Sequence, residues 1–358
     1  MRVLVVTNLY PDARQPAFGT FVAAHVDALR RAGADVKVVA ISGVPVHRAR
    51  ARKYVALTIG AVGAALGARL QRVRPDVVEA HVAYPTAIIG LLAAGITGAS
   101  LVVYCHGSDV TGPAPGSSRH RVLAWLLGHA RLVVANSEFI RDLIESRYEV
   151  DPARLAVISP GVDLSLFAGP DVERTPGEIL YVGRLSAQKG VHELVHAAAG
   201  LGDAAVRLRF VGDGPERAGL ERAAAGAGVR AEFTGSLPHV EAAQLMRRAA
   251  VIAMPSTYPE GLGLAALEAM AAGAMTVATA AGAIGELVDD GETGWLVEPG
   301  NVGALTAALR DALAVASAED PSRREAIRHR AAVKASEHDI DAIARRTLTV
   351  YESLGGQH

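Results

Sequence analysis

The sequence predicts an α/β protein built from two doubly wound parallel-sheet domains. Three observations carry this reading. Short β-branched apolar runs recur along the chain, helical spacing fills most of the gaps between them, and the pattern restarts after a polar Pro/Gly stretch at 169–177. The runs are continuously apolar rather than alternating, as strands are when helices cover both faces of a parallel sheet. A chain of 358 residues also exceeds one ordinary core and suits two domains.

The first domain, 1–168, contains the runs RVLVVT (2–7), VKVVAI (36–41), DVVEAH (76–81), SLVVYC (100–105), RLVVAN (131–136) and RLAVIS (154–159). The long apolar stretch 83–104 is broken by Gly90, Gly95 and Gly98 and turns into SLVVYC. It reads as a helix followed by a buried strand, since a membrane span takes about 20 unbroken apolar residues. The linker GPDVERTPG occupies 169–177, and the second domain, 178–337, repeats the pattern with EILYVG (178–183), VRLRFVG (206–212), VRAEFTG (229–235), AVIAMPS (250–256), MTVATA (275–280) and GWLVEP (294–299). The tail HDIDAIARRTLTVYESL (338–354) has the pattern of an amphipathic helix offering Ile340, Ile343, Leu348 and Tyr351 for packing, and 338–358 is expected to cross back onto the first domain. Two such halves are expected to face each other across a cleft, with ligands near the carboxyl ends of the strands.

Composition narrows the function. Half of the residues are hydrophobic but 4% are aromatic, which suits closely packed helices on sheets; the net charge of −1 shows no basic excess for nucleic acid. The single cysteine, Cys105, has no internal partner, and the opening MRVLVV lacks the basic start and cleavage site of a signal peptide, so a cytoplasmic setting is expected.

Several groups of residues suggest chemistry. The run STYPEGLGLAALEAMAAG (256–273) carries Glu260 on a loop and Glu268 within an apolar helix, where it shares a face with Leu264, Leu267 and Ala271 and needs something to bind; a polar ligand is the obvious partner. In GRLSAQKG (183–190), Arg184, Lys189 and the amides of a helix start make an anion site suited to a diphosphate, although a solvated loop with two cations fits the spacing equally. His106 ends a strand beside Gly107, placed to hydrogen-bond a ligand or to act as acid or base, and a satisfied structural histidine fits as well. Asp109 reads as a cap or turn residue. Gly19 closes the loop NLYPDARQPAFGT (8–20) at a helix start, where a close phosphate and a plain structural glycine are both compatible. Gly212–Pro215 (GDGP) fails the dinucleotide pattern because Arg217 occupies the last glycine position, leaving a tight turn. Asp339 and Asp341 form a DxD triplet, but at the start of the tail helix they suit its dipole, and no His/Cys cluster has metal spacing, so no metal is expected. The basic region 47–74, with His47, Arg48, Arg50, Arg52, Lys53, Arg69, Arg72 and Arg74 around an apolar run, suits either a solvated face or an anionic membrane surface or charged acceptor.

Taken in order, GRLSAQKG, GDGP and PEGLGLAALEAMAAG, with HGSD and TNLYPDARQPAFGTF before them, resemble the family 4 glycosyltransferases over essentially the whole chain. The N-terminal stretch also resembles the teichuronic-acid type, which acts in cell-surface polysaccharide assembly. The resemblance implies the GT-B fold of two Rossmann-like domains, and retaining, metal-independent, cofactor-free transfer of a hexose-type sugar from a nucleotide-diphosphate donor to a hydroxyl of a glycan, lipid-linked or small-molecule acceptor. It implies catalytic roles for His106, Arg184, Lys189 and Glu260. Arg184 and Lys189 hold the diphosphate, Glu268 accepts from the ribose, Glu260 and His106 contact the donor sugar, and Gly19, Gly261, Gly263 and Leu264 supply backbone contacts. Base recognition falls near 236–239, with Leu237 in the donor site. Two departures stand out: Leu262 replaces the usual aromatic residue of the EGFG loop, and FGT replaces a Gly-Gly pair, so that Thr20 limits close approach. A sugar-nucleotide epimerase of the same shape needs additional carboxylates that the sequence lacks; a non-catalytic nucleotide-sugar-binding protein would be expected to have lost one of Arg184, Lys189, Glu260 or Glu268, and all are present.

Overall fold

The structure, a computed structural model, describes residues 1–12, 18–41, 50–170, 172–203 and 205–355. Residues 13–17 of the first loop, together with His47 and Arg48 of the basic region and the side chain of Arg50, lie outside the described residues. The chain divides into two units, Met1–Gly161 with Ile340–His358, and Val162–Asp339.

The first unit holds the parallel strands β1 (Arg2–Thr7), β2 (Asp35–Ala40), β3 (Val77–His81), β4 (Ser100–Cys105), β5 (Leu132–Ala135) and β6 (Leu155–Val157), in the order β2-β1-β3-β4-β5-β6. Successive side chains of a strand point to opposite faces, and here both faces are buried. Val3 and Val5 pack with Val22, Val26 and Leu29 of the helix Thr20–Arg31, whereas Leu4 and Val6 pack with Leu57, Ala61 and Ala65 of the helix Arg50–Leu70 and with Ala87, Ala93 and Ala94 of Thr86–Thr97. This double coverage is why β1 reads as one unbroken apolar run, and each fully buried valine or leucine contributes about 1.5–3 kcal/mol. The small alanines let the helices lie close to the sheet.

The second unit holds β7 (Thr175–Val182), β8 (Arg207–Val211), β9 (Arg230–Gly235), β10 (Ala249–Met254), β11 (Met275–Thr279) and β12 (Trp295–Val297), all parallel, in the order β12-β11-β10-β7-β8-β9. Ile179 and Tyr181 face one core, Leu180 the other. In both sheets the order reverses beside the first strand, between β1 and β3 and between β7 and β10. A crevice at the carboxyl ends of the strands belongs at such a point.

The expected boundaries shift. The first unit ends at Gly161 rather than 168, because Val162 and Phe167, with Leu164 and Leu166 beside them, pack into the core of the second unit. The stretch 169–177 is not all linker, since β7 begins at Thr175. The tail helix is Ile340–Gly355, and its Ile340, Ala344 and Tyr351 join the first unit's core against Val22 and Val26. Asp341, of the DxD triplet, pairs with Arg31 at 2.7 Å.

Candidate active site

In the second unit the loops after β7 and β10 meet at the reversal point. Gly190 has a left-handed φ of 65°, and a Cβ there would fall 1.7 Å from the carbonyl oxygen of Pro255. Only glycine lets the two loops lie this close. The contact brings Lys189, at the end of the turn Ala187–Lys189, to Glu260: Nζ lies 2.6 Å from Oε1, and Ser256 Oγ donates to the same oxygen at 2.5 Å. The Glu260 backbone is fixed on both sides, its N–H donating to Ala281 at 3.1 Å and its carbonyl accepting from Ala283 at 3.0 Å. Among the described residues nothing bonds Glu260 Oε2, and the exposed Arg184 guanidinium has no protein partner. The Arg184 carbonyl is held by the Tyr181 hydroxyl at 2.9 Å; burial, then the Glu260 charge, push the Tyr181 pKa up, so the hydroxyl stays a donor. GDGP secures the same turn, with Leu185 N–H donating to the Asp213 carbonyl at 3.0 Å and Glu216 N–H to the Leu185 carbonyl at 3.1 Å. The tight-turn reading accounts for it.

The helix Leu264–Ala271 starts at Gly263, whose φ is 90°, directly after Gly261 and Leu262, and its N-terminal turn is closed by Ala266 N–H on the Gly263 carbonyl at 2.8 Å. Leu262 is 4% exposed and packs into the apolar core, which explains how the loop does without an aromatic residue. Leu237 is partly buried against the same core. Glu268 differs from expectation. Its Oε1 accepts from His239 Nε2 at 2.7 Å, so its place on an apolar helix needs no ligand. The hydrogen bond to Glu268 raises the His239 pKa against the lowering effect of burial. The pair stays accessible, the Glu268 side chain being 17% exposed and that of His239 35%.

In the first unit His106 follows β4. Its Nε2 lies 3.1 Å from His81 Nδ1, and the Phe21 ring meets its ring edge-on at 5.0 Å between centroids. Burial, reinforced by His81 and His25, pushes its pKa well below the ordinary value, which keeps it neutral. Asp109 is a buried turn residue: Oδ1 accepts from the N–H groups of His106 and Gly107 at 3.0 and 2.9 Å, and Oδ2 from that of Ala83 at 2.9 Å. Gly19 has a φ of 70°, and a Cβ there would come 2.4 Å from the Leu9 carbonyl carbon. Backbone packing therefore explains this glycine without a phosphate.

Residues 167–333 match the family Glycosyl transferases group 1, and residues 18–166 match Glycosyltransferase Family 4. A glycogen synthase of Mycobacterium tuberculosis is 31% identical over 404 aligned positions, which span 98% of this chain and 94% of the relative. The chain belongs to family 4 of the glycosyltransferases. TuaC of Bacillus subtilis, named for teichuronic acid biosynthesis, is 26% identical over 78% of this family 4 chain and 81% of its own length. Among solved structures, HepE of Anabaena in complex with UDP and glucose superposes with a TM-score of 0.78 at 23% identity, covering 99% of this chain and all of that one. Sucrose-phosphate synthase of Thermosynechococcus elongatus gives 0.79 at 21%, covering 99% and 98%. These likenesses establish the GT-B fold for this glycosyltransferase.

Sequence reasoning missed two sets of partners in the transferase. His239 is 29 positions from Glu268, and only a carboxylate on an apolar helix face that needed a polar partner hinted at it. Glu79 and His81, two residues apart on one face of the strand run DVVEAH, carried the same signal: titratable groups on a strand buried on both sides need partners. Those partners are His25 and Tyr351.

Proposed function

We propose that the protein is a retaining, metal-independent hexosyltransferase that takes its sugar from a nucleoside diphosphate donor. The reading rests chiefly on the Lys189 ammonium, held 2.6 Å from Glu260 at the reversal point of the second sheet beside the unpaired Arg184. Transfer breaks the bond between the sugar C1 and a diphosphate oxygen, so negative charge grows on that oxygen and positive charge on the ring. An ammonium has three donors. One anchors Lys189 to Glu260 and the others are available to the diphosphate, where Lys189 and Arg184 together neutralise the leaving group in place of a metal or other cofactor. Glu260 Oε2 is left for a hydroxyl of the donor sugar, and Glu268 for the ribose. In this mechanism the acceptor oxygen bonds C1 on the face the diphosphate leaves, and its proton passes to the departing phosphate oxygen. HepE, whose fold matches, is described in complex with UDP and with UDP-glucose. Curated relatives that align with 44% and 43% of this chain act, by their names, on 2-deoxystreptamine or D-inositol 3-phosphate. Such small hydroxylated molecules, glycans and lipid-linked sugars are the acceptor classes to try.

The test is a thermal-shift screen with UDP, GDP, ADP and TDP sugars, followed by transfer assays and NMR of the product anomer. A donor at a hundred times its Kd should stabilise the protein by about 2.7 kcal/mol. Inverted product, or transfer abolished by EDTA and restored by a divalent ion, would remove the retaining or the metal-independent part of the proposal.

Peripheral contact with an anionic membrane, on the cytoplasmic side, belongs to the same proposal. Within the helix Arg50–Leu70, the segment Arg52–Leu70 is long and apolar enough to span a membrane by length and composition, but Leu57, Ala61 and Ala65 pack it onto the sheet. Its other side exposes Val55, Ile59, Leu66 and Leu70, with Arg52, Lys53 and Arg69 at its ends. An apolar strip flanked by cations suits anionic lipid. Flotation with phosphatidylglycerol vesicles and not with phosphatidylcholine vesicles is the expected result.

A further inference from the structure

Beneath His106 a chain of hydrogen bonds runs through the core of the first unit. The hydroxyls of Tyr104 and Tyr351 are 2.7 Å apart, and Tyr351 donates to Glu79 Oε1 at 2.7 Å. Glu79 Oε2 takes His25 Nε2 at 3.2 Å and His81 Nε2 at 3.1 Å, and His81 Nδ1 faces His106 Nε2 at 3.1 Å. The set is sealed: Glu79 is 0% exposed, His81 and Tyr351 each 2%, Tyr104 5% and His25 8%. His81 also stacks on Tyr104, with centroids 4.5 Å apart.

Donor and acceptor roles along this chain are determined step by step. Burial alone would raise the Glu79 pKa, but His25 and His81 outweigh it and hold the carboxyl well below the usual range. An ionised carboxylate only accepts, so Tyr351, His25 and His81 all donate to it. Burial holds the His81 pKa down against the pull of Glu79, and a neutral imidazole with its proton on Nε2 has a lone pair on Nδ1. The neighbouring His106 Nε2 must then carry a proton. His106 Nδ1, with no hydrogen-bond partner among the described residues, is left as a lone pair.

We infer that Glu79 and His81 are positioning residues that lock His106 in its Nε2–H tautomer, so that Nδ1 accepts a hydrogen bond from a substrate hydroxyl instead of donating one. The inference rests on the role in donor-sugar binding that the family resemblance implies for His106. It gives a reason for burying five ionisable groups, Glu79, His81, Tyr104, His25 and Tyr351, between a parallel sheet and its helices, where apolar residues would pack at less cost. His25, Glu79 and His81 are also residue types that ligate metals, yet their converging atoms already satisfy one another as two N–H donors on one carboxylate oxygen.

The deciding measurement uses the unmodified protein. Long-range 1H–15N spectra of histidine-labelled enzyme, assigned with His106→Gln, should show His106 Nε2 as the protonated, pyrrole-type nitrogen and Nδ1 as the pyridine type. The reverse pattern overturns the inference, as does one equivalent of tightly bound zinc in elemental analysis, because a metal on both Nε2 atoms leaves no proton there. Glu79→Gln can turn its amide NH2 toward His81; it should shift the His106 tautomer and lower kcat about 2- to 12-fold, the worth of one hydrogen bond between neutral groups. His81→Asn keeps an acceptor opposite His106 Nε2 and should retain more turnover than His81→Phe, which keeps none. Equal turnover in wild type and His81→Phe overturns the inference. If the wild-type tautomer is as stated but His106→Ala transfers sugar normally, the lock stands and the donor contact of His106 is what fails.

Discussion

Glutamates meet histidines in both halves of this protein: Glu79 with His25 and His81 inside the first unit, and Glu268 with His239 near the surface of the second. The chemistry of the pairs is nearly the same and their surroundings are opposite. Around Glu79 the low dielectric makes each missing partner costly, so the proton positions are fixed and the group serves as a template. Around Glu268 water can replace either partner, so the carboxylate can exchange a histidine for a ribose hydroxyl without loss to the fold. Lys189 and Glu260 follow the second pattern, with the lysine side chain 37% exposed. In the proposed mechanism the buried pair holds a neighbour in register, and the open pairs hold places for a ligand.

The largest expected contrast is in stability. Glu79→Ala removes the partner of two histidines and a tyrosine hydroxyl in a sealed site and should cost about 3–5 kcal/mol. Glu268→Ala breaks an open pair and should cost about 1 kcal/mol or less. Urea unfolding followed by circular dichroism compares them directly; equal losses would erase the distinction between sealed and open pairs. Turnover should sort the residues differently. Lys189→Ala removes a cation at the developing phosphate charge, and kcat for transfer should fall about 100- to 1,000-fold, while donor affinity changes less. For Glu268→Ala the order reverses: nucleotide Kd by calorimetry should rise about 10- to 150-fold, with kcat of the saturated enzyme nearly unchanged. If both variants lose affinity and rate in the same proportion, the division between a ribose end and a phosphate end is wrong.

Much of this was legible in the chain. Double burial of parallel strands wrote runs such as RVLVVT, and the loop GRLSAQKG lies after β7 where the spacing put it. What escaped are partnerships across sequence. Tyr351 reads as one apolar position on an amphipathic tail, but its hydroxyl reaches Glu79 across 272 positions. His25 carries no signal of its own in the sequence, yet it is buried against a carboxylate 54 positions away. Periodicity shows which side of an element faces inward, not which side chain stands opposite. The domain boundary escaped for a related reason: Gly169 to Gly177 has the composition of a linker, but the chain had already changed units at Val162, where apolar residues in an irregular segment found the second core.

The smallest effect tests the open pair by pH. Glu268 raises the His239 pKa above its ordinary 6.5. A group whose pKa rises on folding binds its proton more tightly in the native state, so its contribution to stability is complete below about 6.5 and disappears as pH climbs through the raised value. The difference in Tm between wild type and His239→Ala should therefore be greatest below about pH 6.5 and shrink as pH rises through the raised pKa. With the imidazole about one-third exposed, the shift will be modest and screened by salt. Nucleotide should act in the same sense as alkali. A ribose that takes Glu268 releases His239, so the fitted histidine pKa, read by NMR titration, should fall when the site is filled. A His239 pKa that ignores bound nucleotide would mean that Glu268 keeps its histidine, and the ribose would have to be held elsewhere on the second unit.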